Sequence, residues 1–221
     1  MRMKSVFGVF AIVLCLPAAA FAQDRKLFGE VGIGPTFLFG ESADLVNTGF
    51  NFDLGATYMA TPMFGVKIDM LASWNSVKDS VTANLNVGEG NALVWVLSGS
   101  GVVSSPIDRR VSGYGVIGGG IYYRKVELTN PGTGVATICD PWLFICYPSL
   151  VPVDQIVGER SSWDFGMNVG GGVNFRFGDS KAFFVESRYH YVWGPTVSAP
   201  DGSQSIEADG KFLPLVFGVR F

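Results

Sequence analysis

The chain has 221 residues, of which 48% are hydrophobic and 29 are glycine, and its formal net charge is −3. An acidic balance of this kind excludes the basic surface that nucleic-acid binding requires. The glycine content disfavours a bundle of membrane helices, and the length suits a single domain.

Residues 1–22 have the three parts of a secretory signal peptide. Arg2 and Lys4 form a basic start, an apolar run covers 6–16, and Ala20 to Ala22 form a small-x-small cleavage site. Removing this segment deletes two bases and takes the net charge from −3 to −5. We therefore expect one exported domain over residues 23–221. It contains no apolar run of about 18 residues, so either a closed barrel spans a bilayer or the domain is a soluble β-sandwich.

The mature chain divides into stretches that alternate apolar and polar residues with the period of two typical of β-strands. The fifth stretch carries glycines on both faces, so its faces stay unassigned. In chain order, the predicted strands are 27–39, 48–60, 64–74, 91–103, 110–128, 163–177, 183–193 and 211–221.

The connections between these strands alternate in length. Short turns at 61–63, 104–109 and 178–181 alternate with long loops at 41–47, 75–90, 129–162 and 195–210. This asymmetry is typical of outer-membrane barrels, which have short periplasmic turns and long outer loops.

Strand length separates the barrel from the sandwich. Strands of globular proteins average about five or six residues, whereas these alternate over roughly eleven to fifteen, as tilted membrane strands do. The ten steps from Phe64 to Trp74, or from Phe183 to Trp193, rise about 25 Å, the height of an apolar membrane band. Sequence therefore favours the barrel.

The last strand, residues 211–221, ends on an aromatic residue and places an apolar side chain at every second position. It resembles the closing strand of small outer-membrane β-barrels of the OmpA-, OmpX- and OmpW-like families, as do the stretches 114–123 and 183–190. The resemblance implies an all-β, eight-stranded antiparallel up-and-down transmembrane β-barrel in the outer membrane of a Gram-negative type cell. It also implies that the barrel-assembly machinery reads an assembly signal formed by Phe217, Val219 and Phe221.

The polar faces of the predicted strands form a nearly balanced set of acids and bases inside the barrel. These residues are Glu30, Asp53, Lys67, Asp69, Asp164, Arg176, Glu186, Arg188, His190 and Arg220. We expect them to form ion pairs that fill the lumen, since side chains fill the interior of an eight-stranded barrel. The alternative is a narrow path for small solutes, gated by Glu186, Arg188 and Arg220.

His190 is the only histidine of the chain. Ser187 lies three residues away, which on a strand places the two on opposite faces, so the Ser-His-acid site of outer-membrane lipid deacylases is not predicted. With one histidine and no cluster of thiols, neither a zinc site nor a cofactor is expected.

Cys139 and Cys146 are the only cysteines after the signal peptide, and both fall in the longest loop. In an exported chain they predict a disulfide. The apolar residues Trp142, Leu143 and Phe144 between them either pack on the barrel rim or form a contact patch for a partner or lipid. All four outer loops are acidic, which disfavours binding of sulfated polysaccharides.

These features predict a monomeric, non-enzymatic barrel in outer-membrane lipid, with a structural or surface-interaction role carried by its extracellular loops. The extracellular partner is unspecified. A narrow solute channel is the alternative, and a lipid-modifying enzyme is a third and weaker one.

Overall fold

A computed structural model describes residues 27–105, 110–140, 144–178, 181–198 and 205–221. The predicted signal peptide, residues 1–22, lies outside the described residues. The strands are β1 (Leu27–Leu38), β2 (Gly49–Met59), β3 (Phe64–Ser76), β4 (Glu89–Ser104), β5 (Val111–Asp140), β6 (Ile145–Arg176), β7 (Ala182–Val192), β8 (Thr196–Ser198), β9 (Ser205–Glu207) and β10 (Gly210–Arg220).

Eight of these strands form a closed antiparallel barrel in the order β1-β10-β7-β6-β5-β4-β3-β2, as the alternation predicted. The short strands β8 and β9 pair with each other in the loop before β10. Two short helices, α1 (Glu41–Leu45) and α2 (Asp79–Asn84), lie in the first two outer loops. Within the described part of the chain, no helix is long and apolar enough to cross a membrane.

The first and last strands close the barrel as predicted. Glu30 pairs with Arg220 and Ile33 with Phe217. At the end of the ladder, the N–H of Gly29 donates to the carbonyl oxygen of Phe221 at 2.8 Å, and the N–H of Phe221 donates back at 2.9 Å. Closure leaves no unpaired edge within the membrane, where an unpaired backbone group has no water to bond.

Aromatic side chains mark both rims of the outward apolar surface. Phe50 stacks on Trp74 at the outer end, with ring centroids 5.6 Å apart, and Phe177 stacks on Phe183 at the periplasmic end, at 4.5 Å. Between the rims the outward face is aliphatic and exposed, as at Ile117. This arrangement of two aromatic girdles around an apolar band is that of a membrane barrel.

The fifth strand, whose faces the sequence left open, turns Tyr114, Val116 and Tyr122 inward and Ile117 outward. Its glycines have different roles on the two faces. A Cβ on the inward Gly118 would lie 2.3 Å from the carbonyl oxygen of Gly99 on the neighbouring strand β4, so the close approach of these two strands requires glycine there.

The predicted loop over residues 129–162 is wrong. β5 continues to Asp140 and β6 begins at Ile145, so most of this segment is a two-stranded extension above the barrel. Its glycines and prolines are residues typical of loops, yet here the two strands pair and satisfy each other's backbone hydrogen bonds. We call residues 129–156 the outer hairpin. At about 3.3 Å per residue, its strands extend about 35 Å beyond Glu89, the residue at the outer end of β4.

Candidate functional site

A chain of ion pairs crosses the lumen. Lys67 on β3 places its Nζ 2.9 Å from Oε2 of Glu30 and 3.0 Å from Oε1 of Glu186. Glu186 in turn contacts Nε of Arg188 at 2.8 Å, and Nη1 of Arg188 lies 2.9 Å from Oδ1 of Asp69. These five side chains are almost completely buried, so each charge depends on its neighbours rather than on water.

Two further charged residues extend the cluster. Arg220 places Nη2 3.0 Å from Oε1 of Glu30, and its guanidinium lies 4.8 Å from the ring centre of Tyr114. Asp53 lies 3.5 Å from Nη2 of Arg188. The lumen therefore holds four acids and three bases in direct contact.

Neutral donors complete this cluster. Tyr114 donates its hydroxyl proton to Oε2 of Glu186 at 2.6 Å, and Ser98 donates to Oδ2 of Asp69 at 3.0 Å. Thr57 donates to Glu30. Buried carboxylates are costly unless hydrogen bonds occupy their lone pairs, so these contacts fix the carboxylates in place.

An apolar layer closes the lumen above the ion pairs. β3 runs from the periplasmic end of the barrel to its outer end. Leu71 follows Lys67 and Asp69 on the lumen face of this strand and so lies above them. Leu71 belongs to one buried cluster with Val96, Tyr122, Phe184, Val192, Phe212 and Val216. Val216 lies at the level of Glu186 and Phe184 on its periplasmic side, and the other members form the layer above. This layer is closely packed, and its polar groups include the Tyr122 hydroxyl and the His190 ring, which bond to each other.

His190 lies in this apolar layer and is fully buried. Its Nδ1 is 2.9 Å from the hydroxyl of Tyr122, and its ring stacks on Phe212 with centroids 4.7 Å apart and an interplanar angle of 7°. Ser187 faces the other side of the same strand. Among the described residues, no Ser-His-acid constellation forms around His190, and no group of three or more His, Cys, Asp or Glu is placed to hold a metal ion.

A second ion pair ties the outer end of the barrel to the last loop. Nε of Arg124 lies 2.8 Å from Oδ2 of Asp164, and Nη1 donates to the carbonyl oxygen of Ala208 at 2.9 Å. Ser162 also donates to Asp164, at 2.7 Å. This contact fixes the base of the outer hairpin against the loop before β10.

The predicted lumen residues thus separate into groups. Seven of them form the ion-pair cluster and His190 lies above it, whereas Asp164 belongs to the Arg124 contact. Arg176 has the inward parity but is exposed at the periplasmic end of β6, so its placement in the lumen network is wrong. Tyr114, Tyr122 and Arg124 escaped prediction because they lie on the strand whose faces were unassigned.

The outer hairpin exposes apolar side chains to solvent. Val135 and Leu150 face each other across the ladder and are 74% and 73% exposed. A disulfide joins the directly paired Cys139 and Cys146 near the tip. Phe144, at the turn, is 92% exposed and so does not pack on the barrel rim, while Trp142 and Leu143 lie outside the described residues.

Comparison with known proteins agrees with this architecture. The family model of the outer membrane protein beta-barrel domain matches residues 8–221. Neisserial surface protein A is similar in structure, with a TM-score of 0.53 and 12% identity over 88% of this chain and 96% of that one. For a major outer membrane protein from Thermus thermophilus, the TM-score is 0.52 at 11% identity, over 88% of this chain and 98% of that one. No curated protein matches the sequence.

The closed fold and the apolar band between its two aromatic girdles define an integral β-barrel of the outer membrane. The chain belongs to the family of outer membrane protein beta-barrel domains. The two structural likenesses, at these low identities, concern the fold.

Proposed function

We propose that this protein is a non-enzymatic, non-conducting barrel that acts in surface interactions through its outer hairpin. The observation that carries the proposal is the exposure of apolar side chains, such as Val135, Phe144 and Leu150, on a paired and disulfide-linked element far from the membrane. Isolated exposed apolar residues are ordinary, but a contiguous set on one projecting element marks an interaction site.

The charge distribution supports the same proposal. Residues 128–139 of β5 contain no charged side chain, and Asp154 is the only charged residue described between 145 and 158 of β6. The only charged residues of the outer hairpin are Asp140 and Asp154, whereas the other outer loops hold acidic residues at a higher density and would stay solvated. The sparsely charged hairpin is therefore the part of the outer surface best suited to contact another macromolecule.

The filled lumen disfavours transport as the main activity. The ion-pair cluster and the apolar layer above it occupy successive levels of the interior, and a solute would have to separate buried charges to pass. Separating such a pair leaves an uncompensated buried charge, at a cost of several kcal/mol.

Cell attachment tests the proposal. Bacteria displaying the full-length protein are compared with bacteria displaying a variant in which Asn-Gly replaces residues 131–154. The type I′ turn of Asn-Gly then joins Asn130 to Gln155, a pair already opposed in the ladder. We expect retention of the cells on surfaces coated with extracellular-matrix proteins to fall to the level of cells that lack the barrel.

Shortening of the loop containing β8 and β9 provides the control, because it removes outer surface without touching the hairpin. Heat-modifiable migration on detergent gels reports that each variant still forms a barrel. Undiminished retention of the hairpin-shortened cells would refute the proposed function.

A further inference from the structure

The prolines of the outer hairpin reveal which backbone groups point out of the ladder. Pro131, Pro148 and Pro152 lie in the pairs Pro131–Asp154, Thr137–Pro148 and Thr133–Pro152, which all belong to the same alternate set. Pairs of an antiparallel ladder alternate between hydrogen-bonded and non-hydrogen-bonded. Since proline has no N–H to donate, this set is the non-hydrogen-bonded one. Its N–H and C=O groups point away from the partner strand, toward the free edges of the hairpin.

Two independent contacts fix the same phase. The carbonyl oxygen of Thr129, which belongs to this set, points away from β6 and accepts a hydrogen bond from the N–H of Gly88 at 3.0 Å. The Cα atoms of Cys139 and Cys146 are 4.0 Å apart. That separation is close to the value of about 4.5 Å for non-hydrogen-bonded pairs and well below the value of about 5.5 Å for bonded ones.

The two edges of the hairpin are therefore unlike. On the β6 edge, Pro148 and Pro152 remove two of the outward donors and leave the N–H of Leu150 between them. On the β5 edge, Pro131 lies at the base, and above it the donors of Thr133, Val135, Thr137 and Cys139 form an unbroken row. The partner strand β4 ends its pairing at Thr129, so among the described residues no other strand bonds to this row.

Natural edge strands are usually protected by charges, prolines or bulges, because a free edge is a template for another strand. The β6 edge has this protection and the β5 edge does not, since no charged residue lies between 128 and 139. One hairpin therefore carries a blocked edge and an open edge, each about 20 Å long.

We propose that the open β5 edge, Thr133 to Cys139, binds an extended segment of another polypeptide as an added antiparallel strand. The backbone row supplies the hydrogen bonds, and Val135 supplies an apolar contact on one face. The partner segment has an uncharged central part of β-branched side chains, which match Thr133, Val135 and Thr137. This inference rests on the proposed surface function and identifies the class of partner.

A second copy of this chain is a poorer partner. Two copies in one membrane both direct β5 outward, so their edges would meet in parallel and would present identical residues at the same height. A segment of a different polypeptide can run antiparallel, which is the more stable arrangement.

Amide hydrogen exchange of the full chain in lipid nanodiscs tests the inference. The probe is the synthetic peptide Lys-Thr-Val-Thr-Val-Thr-Lys, and its control is the same peptide with N-methyl groups on both valines and on the threonine between them, which blocks both edges of the peptide strand. We expect the probe to slow exchange at Thr133, Val135 and Thr137 by roughly tenfold or more, while Leu150 is unaffected. The methylated peptide should have no effect.

Two matched variants sharpen this test. Val135→Pro removes the central donor of the open edge, and Leu150→Pro removes the donor opposite it on the blocked edge. Both N–H groups point outward, so neither change breaks the ladder of the hairpin. Loss of binding in Val135→Pro with full binding in Leu150→Pro is the expected result. Equal binding by the two variants, slowing at Leu150, or no slowing at millimolar probe would overturn the inference.

The attachment assay separates this inference from the proposed function. If the hairpin-shortened cells lose retention and the Val135→Pro cells lose it too, both hold. If only the hairpin-shortened cells lose it, the hairpin acts without strand addition and the inference fails alone. If neither loses it, the proposed function itself is wrong.

Discussion

Lys67 on β3 and Glu186 on β7 meet across the lumen, with Nζ 3.0 Å from Oε1, although 119 residues separate them in the chain. Lys67 also contacts Glu30, so one ammonium group serves two buried carboxylates. This arrangement joins opposite walls of the barrel and makes the interior a packed core.

Replacing Lys67 by Met should therefore destabilise the barrel strongly. Glu30 and Glu186 would keep their arginine neighbours but lose the cation between them, and breaking a buried pair costs about 3–5 kcal/mol. Denaturant titration in lipid vesicles measures the free energy of unfolding. Lys125→Met is the control, because Lys125 pairs with Glu127 at the exposed base of the hairpin; an equal loss in both variants would contradict a specific role for the lumen pair.

Glycine should be required at the inward position 118 and dispensable at the outward position 99 of the neighbouring strand. Gly118→Ala places a Cβ 2.3 Å from the carbonyl oxygen of Gly99, whereas a Cβ on Gly99 meets nothing within 4 Å. Overpacking costs about 1–3 kcal/mol, and relief of glycine's entropy in a strand gains about 0.5–1 kcal/mol. Thermal unfolding should thus show Gly118→Ala destabilised and Gly99→Ala unchanged or stabilised; the reverse order would mean that the faces of the wall are inverted.

We propose that the terminal aromatic residue acts mainly in assembly. Phe221→Ala keeps both backbone bonds to Gly29, so the refolded barrel should lose little stability, while less of it reaches the membrane in cells. Quantitative immunoblots of the outer-membrane fraction measure this. Leu215→Ala, on the same face of β10, is the control and should assemble normally; normal levels of Phe221→Ala would remove the proposed signal.

Asp209, in the loop before β10, should titrate below the ordinary range of an aspartate. A hydrogen bond from the hydroxyl of Tyr191, and another from the N–H of Gly194 at 3.0 Å, hold the pKa of Asp209 below its usual value of 3.8. A lowered pKa stabilises the folded loop above the ordinary value, and this contribution is lost as the pH falls through the lowered one. The amide NMR signal of Gly194 should therefore shift with a midpoint below 3.8 and stay constant in Asp209→Asn. A midpoint at or above 3.8 would show that these bonds do not favour the charged form.

Alternation predicted the closed barrel and most of its faces because each strand separates lipid from a packed interior. That rule fails where both faces carry glycine, as on β5, and with it the contact between Tyr114 and Glu186 was missed. The alternation also does not indicate where a residue lies along the barrel axis. Arg176 therefore has the inward parity and yet lies exposed at the periplasmic rim.

The outer hairpin was missed for a different reason. Pro131, Gly132 and Gly134 are loop-forming residues by composition, and only their pairing with β6 makes them a strand. The spacing of the prolines was the available signal. Pro148 and Pro152 are four residues apart, which on a strand places both on the same edge.

Single-channel recording of the purified full-length protein in planar bilayers tests most directly the claim that the lumen is blocked and the activity therefore lies in the outer hairpin. With the lumen filled by the Lys67–Glu186 cluster and sealed by the apolar layer around Leu71, we expect no current steps above the bilayer background. Reproducible steps that change in size when Glu186 is replaced by Gln would show an open path through the lumen and contradict the claim.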